Sequence, residues 1–425
     1  MELKTEGRRI LGINGIGRIG KLTLWNNLHQ KYYDGIVINA GRELGKSLED
    51  AIAYLTTDST YGTLDHFLYG YTGQSCEARV IDRAEARIEL CGLPVKLLTS
   101  ARNPRDIGWA QTGVRLVIDC TGAFLDPTRP AGHIKGSLRG HLEAGAEKVI
   151  LSAPFKTADV GHPLPEDCAT FVYGINHAGY DPLRHNIISA ASCTATGLAH
   201  MVKPLADTRE TADIITASMT TVHAATNNQA ILDAPPGTGS KDLRRNRAVF
   251  NNLIPTVTGE AIVLEEIIPG IKRVGFMADS ICVPASTVSL ISLNLTFRTV
   301  FDADGTPVIT RDFINDIYRK AAAGPQKGLL IYSERQNVSA DLVGCRAAVV
   351  IEGRENHTRT GFLSLGAAAE LNIPVTHAKI FGWYDNEFGC YVNCMGNGKS
   401  RSPRGLRRIQ YPLGSFGFFS ATIDP

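Results

Sequence analysis

Two side chains in this sequence have the type and the setting for covalent chemistry. Cys193, in Ser192-Cys193-Thr194-Ala-Thr-Gly, follows an extended stretch that ends at Ala191 and opens a helical pattern. A cysteine at a helix N-terminus sees the positive end of the helix dipole, which favours the thiolate, the reactive form of the group. A cysteine among small residues is equally a common packing residue. His223 closes the β-branched run Ile214–Val222 and lies where a strand meets a loop. That position suits a structural histidine, and it also suits a base that takes a proton from a thiol adduct. A third motif, Gly15-Ile16-Gly17-Arg18-Ile19-Gly20, fits G-x-G-x-x-G between the apolar run at Ile10 and an amphipathic stretch. Glycines there allow a tight turn and let the backbone approach a pyrophosphate at a helix N-terminus.

These residues need elements to hold them. Ile10–Ile13, Ile36–Ile38, Val114–Ile118 and Val149–Leu151 are short apolar runs separated by helical patterns. Such alternation predicts βαβ units and a parallel sheet. Beyond about residue 190 the texture shifts to threonine-rich and β-branched runs, Ile214–Val222 and Thr287–Phe297, the second alternating apolar and polar residues. A half-buried strand reads this way, so a larger mixed or antiparallel sheet is expected there, with a helix over Phe313–Ala323.

Composition narrows the classes. The 425 residues are 44% hydrophobic and 20% charged, which is globular. Forty-four basic against 42 acidic residues leave a net charge of +2 and no global case for nucleic acid. No apolar run reaches the ~18 residues of a membrane helix. The charged start, Met1 to Arg9, does not read as a secretory signal. Nine cysteines without CxxC pairs argue against a disulfide framework or a zinc ribbon, which makes a reducing cytoplasm the expected setting. The basic stretch Gly396–Arg408 reads as a solvated tail or an anion-binding arm.

A run of motifs in fixed order gives a further reading. Gly12–Gly20, Asp58-Ser-Thr60, Cys120-Thr121-Gly122, Ser152-Ala-Pro154, Tyr173–His177, Ala191–Thr194, Thr221-Val-His223-Ala224, Arg244–Arg247, Ile254–Gly259, Val338–Asp341 and Trp383–Glu387 together resemble the glyceraldehyde-3-phosphate dehydrogenase family. The resemblance runs from about residue 9 to residue 391. It implies a Rossmann NAD(P)-binding domain over 1–192, completed by 386–425, and an α+β catalytic domain over 193–385. It also implies a homotetramer. Cys193 would attack an aldehyde to give a thiohemiacetal, and His223 would hold it ionised and accept the hydroxyl proton. Hydride would pass to the nicotinamide, with Asn386 orienting its carboxamide. Inorganic phosphate would then attack the thioester and release an acyl phosphate. By the same resemblance Gly15, Gly17, Arg18, Ile19, Gly20, Arg42, Arg102, Thr121, Gly122 and Ser152 would contact the dinucleotide. Ser192, Thr194, Arg245, Thr258 and Gly259 would bind the attacking phosphate, and Thr226 the phosphate of the substrate.

Several positions depart from that pattern. Ala40 and Arg42 stand near the place of the ribose-binding acid, which together with Ala234 tilts the reading toward NADP, unless Glu43 turns in to hold the ribose. Cys282 precedes Val-Pro where the family has arginine, and Asn228 replaces an acid or threonine. A neutral thiol cannot bind a phosphate as a guanidinium does, a loss of about 1.5–3 kcal/mol unless Arg244, Arg247 or Arg273 substitutes. The substrate is then glyceraldehyde 3-phosphate or an aldehyde whose phosphate is missing or elsewhere; a third reading is a cofactor-binding protein with weak catalysis. Glycines within 389–398 interrupt the expected closing helix. Insertions near 62–98, 126–142 and 155–168 read as lengthened surface loops.

Overall fold

The computed structural model describes residues 9–157, 163–227, 229–240, 242–365 and 371–388. Asn228, the closing glycines and the basic tail lie outside these residues.

The chain forms an α/β fold of two large sheets. The first has nine strands in the order Cys168–Thr170, Ile187–Ser189, Lys148–Leu151, Leu116–Asp119, Ile10–Asn14, Gly35–Asn39, Leu93–Leu98, Arg87–Leu90 and Ala78–Asp82. The first seven pair in parallel and the last two join antiparallel. The central strands are buried along their whole length, which explains their continuous apolar runs rather than an alternation. The chain leaves Ile10–Asn14 for Gly35–Asn39 on one side, while Leu116–Asp119 pairs on the other. Strand order reverses there, and the crevice at the carboxyl ends of such strands is where ligands of this architecture bind.

The second sheet has eight strands. Ile214–Ala224 pairs in parallel with Met277–Val283 and antiparallel with Ser289–Arg298, which in turn pairs with Leu371–Tyr384. Along Ser289–Arg298 buried and partly buried residues alternate, as the sequence pattern predicts. The helices Cys193–Ala206 and Arg311–Ala323 cover this sheet, and Leu198, Met201, Val202 and Tyr318 fill the core between them. Thr310 caps the second helix by accepting from Phe313 N–H at 3.1 Å, so it starts two residues before the predicted Phe313.

Two expectations are corrected. The segment 62–98 is not a surface loop: it carries a short helix, Leu64–Tyr69, and three strands that extend the first sheet. Cys76 and Cys91 form a disulfide with a Cα–Cα distance of 5.0 Å. The hairpin register, Ala78 opposite Leu90, brings the two flanking cysteines together. Their separation of 15 residues carries no such signal in the sequence.

Candidate active site

The glycine motif turns between strand and helix as its spacing requires. Gly15 has φ +88°, where a side chain would press on Thr121. Gly20 packs against the backbone of Gly15 so closely that a Cβ would fall inside the van der Waals surface of the Gly15 carbonyl oxygen. Gly17 differs: a Cβ there meets nothing within 4 Å, and it precedes the first turn of the helix Arg18–Gln30. Unpartnered N–H groups at a helix start, facing open space across a side-chain-free residue, form a cradle that fits a pyrophosphate.

Around this cradle the predicted residues take different positions. Ile19 packs against the core. Arg18 donates to Ser286 O at 2.8 Å and pairs with Glu387 at 3.0 Å, tying the loop to the second sheet. Arg42 is exposed just past Asn39, the last residue of its strand, and Glu43 accepts a hydrogen bond from Thr99 at 2.9 Å. Arg102 donates to Gly41 O at 3.2 Å. Thr121 binds Asp119 through its hydroxyl at 2.6 Å, Gly122 has φ +64°, and Ser152 is buried with its N–H on Asp119 O.

Sequence reasoning missed the network beneath. Trp109 Nε1–H donates to His141 Nδ1 at 2.9 Å, so His141 presents Nε2–H to Asp119 at 3.0 Å, and Asn14 donates to the same carboxylate at 2.8 Å. Burial alone would push the Asp119 pKa up, yet the donors around it hold the carboxyl below the usual carboxylate range.

Cys193 is the first residue of its helix, and Ser192 caps it by accepting from Ala195 N–H at 2.9 Å. The residue before the cap, Ala191, has φ +57° while fully buried. Left-handed backbone costs a non-glycine residue about 1–2 kcal/mol, and here it turns the chain sharply from strand to helix at the nucleophile. Cys193 Sγ lies 3.8 Å from His223 Nε2. His223 Nδ1 is 2.7 Å from Ala224 O, an acceptor only, so in the neutral ring Nδ1 carries the proton and the Nε2 lone pair faces the sulfur.

The same geometry locks the imidazole. Ala224 N–H donates to Ser289 Oγ, Ser289 donates to Asn386 Oδ1, and Asn386 Nδ2 donates to His223 Nε2 at 3.2 Å. The circuit begins and ends on Ala224. Burial lowers the basicity of His223, outweighing the Ala224 carbonyl and the charge of Glu387. An amide donor on Nε2 works in the same direction. Val288, which presents Ser289, is also left-handed at φ +64°, so strained backbone flanks both sides of the pair.

With this geometry in place, comparison with known proteins is decisive. Residues 9–127 match the NAD binding domain of glyceraldehyde 3-phosphate dehydrogenase and residues 192–386 its C-terminal domain. "Glyceraldehyde-3-phosphate dehydrogenase 2" of Streptomyces avermitilis is 35% identical over 380 residues, 89% of this chain and 94% of that protein. The glyceraldehyde-3-phosphate dehydrogenases of Streptomyces coelicolor, 34% over 381 residues, and Geobacillus stearothermophilus, 33% over 387, cover the same shares. The chain belongs to the glyceraldehyde-3-phosphate dehydrogenase family. Most strands of its first sheet lie in the family's NAD binding domain, and its second sheet lies in the family's C-terminal domain. No helix among the described residues is long and apolar enough to cross a membrane.

The residues expected to bind anions make contacts within the protein itself. Ser192 Oγ lies 2.9 and 2.8 Å from the two carboxylate oxygens of Glu260. Thr194 is buried, with its hydroxyl 2.7 Å from Tyr384 Oη, which also meets Thr221 at 2.8 Å. Thr258 bonds Glu260, and Gly259 precedes the helix Glu260–Ile267. Arg245 is 3.9 Å from Asp242, and Thr226 is exposed with its N–H on Gln229 at 3.0 Å. Cys282 is buried and sits beside His223 in register on the neighbouring strand. Of the arginines named above as substitutes for its missing charge, Arg244 pairs with Asp242 at 2.8 Å and Arg247 with Asp233 at 3.0 Å.

Proposed function

We propose that the protein oxidises an aldehyde through a covalent adduct on Cys193, with NAD(P) as the acceptor and Arg42 favouring the 2′-phosphate of NADP. The observation that carries this reading is the placement of His223 Nε2 3.8 Å from the Cys193 sulfur, in a ring that hydrogen bonds with Ala224 and Asn386 hold in orientation. His223 takes the thiol proton as sulfur attacks the carbonyl carbon and returns it to the carbonyl oxygen, giving a thiohemiacetal and a neutral imidazole. The same imidazole then draws the adduct's hydroxyl proton while the carbon gives up hydride, leaving a thioester on Cys193. The dinucleotide, when bound, supplies the hydride acceptor. Gly15, Gly17 and Gly20 would cradle its pyrophosphate, and Asn386, already fixed by Ser289, would reach its carboxamide.

A homotetramer and a cytoplasmic setting belong to the same reading by resemblance, and the resemblance alone names phosphate as the acyl acceptor. The proposed phosphate ligands Ser192 and Thr258 are present, although both are bonded to Glu260. The test is an aldehyde panel assayed with NAD and NADP, with and without phosphate. Reduction of neither dinucleotide by any aldehyde sinks the proposal.

Two expected results refine it. Because burial lowers the basicity of His223, the group stays unprotonated to lower pH than an ordinary imidazole. The acidic limb of kcat/KM against pH therefore falls below the usual histidine range; a limb at or above that range contradicts the base assignment. For the substrate, Cys282→Arg restores a charge beside His223 and lowers KM for glyceraldehyde 3-phosphate on the order of 10-fold or more, the worth of one charge-assisted contact. An unchanged KM shows that the substrate's anion does not bind there.

A further inference from the structure

The niche in front of the Cys193 helix contains a carboxylate that belongs to the protein. Glu260 is the first residue of the helix Glu260–Ile267, which packs against the Cys193 helix, and it is 9% exposed. Its two oxygens lie 2.8 and 2.9 Å from the hydroxyl of Ser192, the residue next to the nucleophile. Thr258 and the N–H of Ala195 are its other partners, with the Lys156 ammonium as the neighbouring charge. Oxyanions are favoured at this place because the unpartnered N–H groups of a helix start face it. Glu260 shares one of those donors, the Ala195 N–H, with Ser192.

Two consequences follow from the charge. A dianionic phosphate entering the niche would meet a carboxylate of like sign across a single serine hydroxyl, in a site largely closed to screening water and ions. Water meets no such repulsion. Each carboxylate oxygen has more than one lone-pair direction, so an oxygen that accepts from Ser192 can accept from a water as well. Burial pushes the Glu260 carboxyl up from the usual range, against the pull of Ser192 and Thr258. That makes it a better proton acceptor than a solvated carboxylate.

We infer that Glu260 is a general base for hydrolysis of the Cys193 thioester, so that the acyl acceptor is water and the product a carboxylic acid. This rests on the acyl-enzyme reading above. Glu260 accepts a proton as the water oxygen bonds to the acyl carbon. The carbon–sulfur bond then breaks, Cys193 recovers its thiolate, the acid leaves and ionises to its carboxylate, and both protons, the acid's own and the one held by Glu260, pass to solvent. No redox change accompanies this step.

The test needs neither the natural aldehyde nor a dinucleotide. p-Nitrophenyl acetate acetylates a reactive thiol directly. Release of p-nitrophenolate reads acylation, and intact mass reads the decay of the acetyl-enzyme. In phosphate-free buffer the wild-type acetyl-enzyme clears, ¹⁸O from labelled water enters the acetate, and added inorganic phosphate leaves the rate unchanged. Glu260→Gln is acetylated but clears about 100-fold more slowly, the typical contribution of a general base. Its clearance also loses the pH dependence seen in the wild type, and Glu260→Asp recovers part of both. If Glu260→Gln does not fold, the labelling and the phosphate response of the wild type decide alone. Wild-type acetyl-enzyme that clears only with phosphate, yielding acetyl phosphate, overturns this inference and leaves the aldehyde reading intact. Failure of p-nitrophenyl acetate to label Cys193 overturns the nucleophile assignment, and this inference with it.

Discussion

Cys193→Ser lowers aldehyde oxidation by about 10⁴-fold or more, because loss of a covalent nucleophile removes the reaction path rather than one stabilising contact. A serine hydroxyl is far less acidic than a thiol, and His223 is held less basic than ordinary by burial. The remaining pair therefore cannot generate an oxyanion as readily as it generates a thiolate. Dinucleotide affinity stays at the wild-type value, since the Gly15–Gly20 turn is built against Thr121 and its own backbone, not against Cys193. Thermal stability also changes little, because Cys193 is only partly buried and the cap from Ser192 to Ala195 is untouched. Stopped-flow absorbance of the reduced nicotinamide and calorimetric titration of the dinucleotide read the two effects separately. A variant that keeps wild-type oxidation would falsify the assignment of the nucleophile.

What the sequence made legible and what it hid divide along a physical line. Cys193 and the glycine turn are local, so the sequence marks them as candidates, a cysteine at a helix start and glycines between strand and helix, and the motifs around them supply the rest of the reading. His223 is legible as the end of a β-branched run, but its tautomer is set by Ala224, Ser289 and Asn386, which come from two strands and the segment just after a third. The central parallel strands stand out because burial on both faces leaves uninterrupted apolar runs. The strands Ala78–Asp82 and Arg87–Leu90 lie at the sheet's edge and mix charged with apolar residues, and so read as an insertion.

Buried charge is the harder case. Glu260 sits in the first turn of a helix, where an acidic residue commonly complements the dipole at the surface. Only the fold shows that this turn faces the start of the Cys193 helix. The same is true of Asp385, which accepts from Tyr61 at 2.8 Å and from Gly344 N–H at 2.9 Å, and whose carboxyl burial pushes up to about 6. The Tyr61 hydroxyl also lies 2.7 Å from Glu387, the partner of Arg18, so the phosphate loop and the residues around Asn386 share one network across the two sheets. The left-handed Ala191 and Val288 carry no sequence mark at all, because tertiary packing imposes their conformation.

The glycine loop offers a test that separates architecture from ligand. Gly17→Ala should fold with wild-type thermal stability, since a Cβ at that position meets no protein atom within 4 Å. Its dinucleotide affinity nevertheless falls on the order of 10–100-fold, the 1–3 kcal/mol typical of forcing an extra methyl into a filled space. Gly20→Ala behaves in the opposite order. Its Cβ would collide with the Gly15 carbonyl, a backbone atom that cannot turn aside, so the loop must open and stability is lost before any ligand is added. Differential scanning calorimetry of both variants, paired with dinucleotide titration, distinguishes the roles. Normal dinucleotide affinity in Gly17→Ala would mean that the pyrophosphate lies elsewhere. The motif would then be a helix–strand packing device, and the hydride acceptor would have to be sought away from the start of the helix Arg18–Gln30.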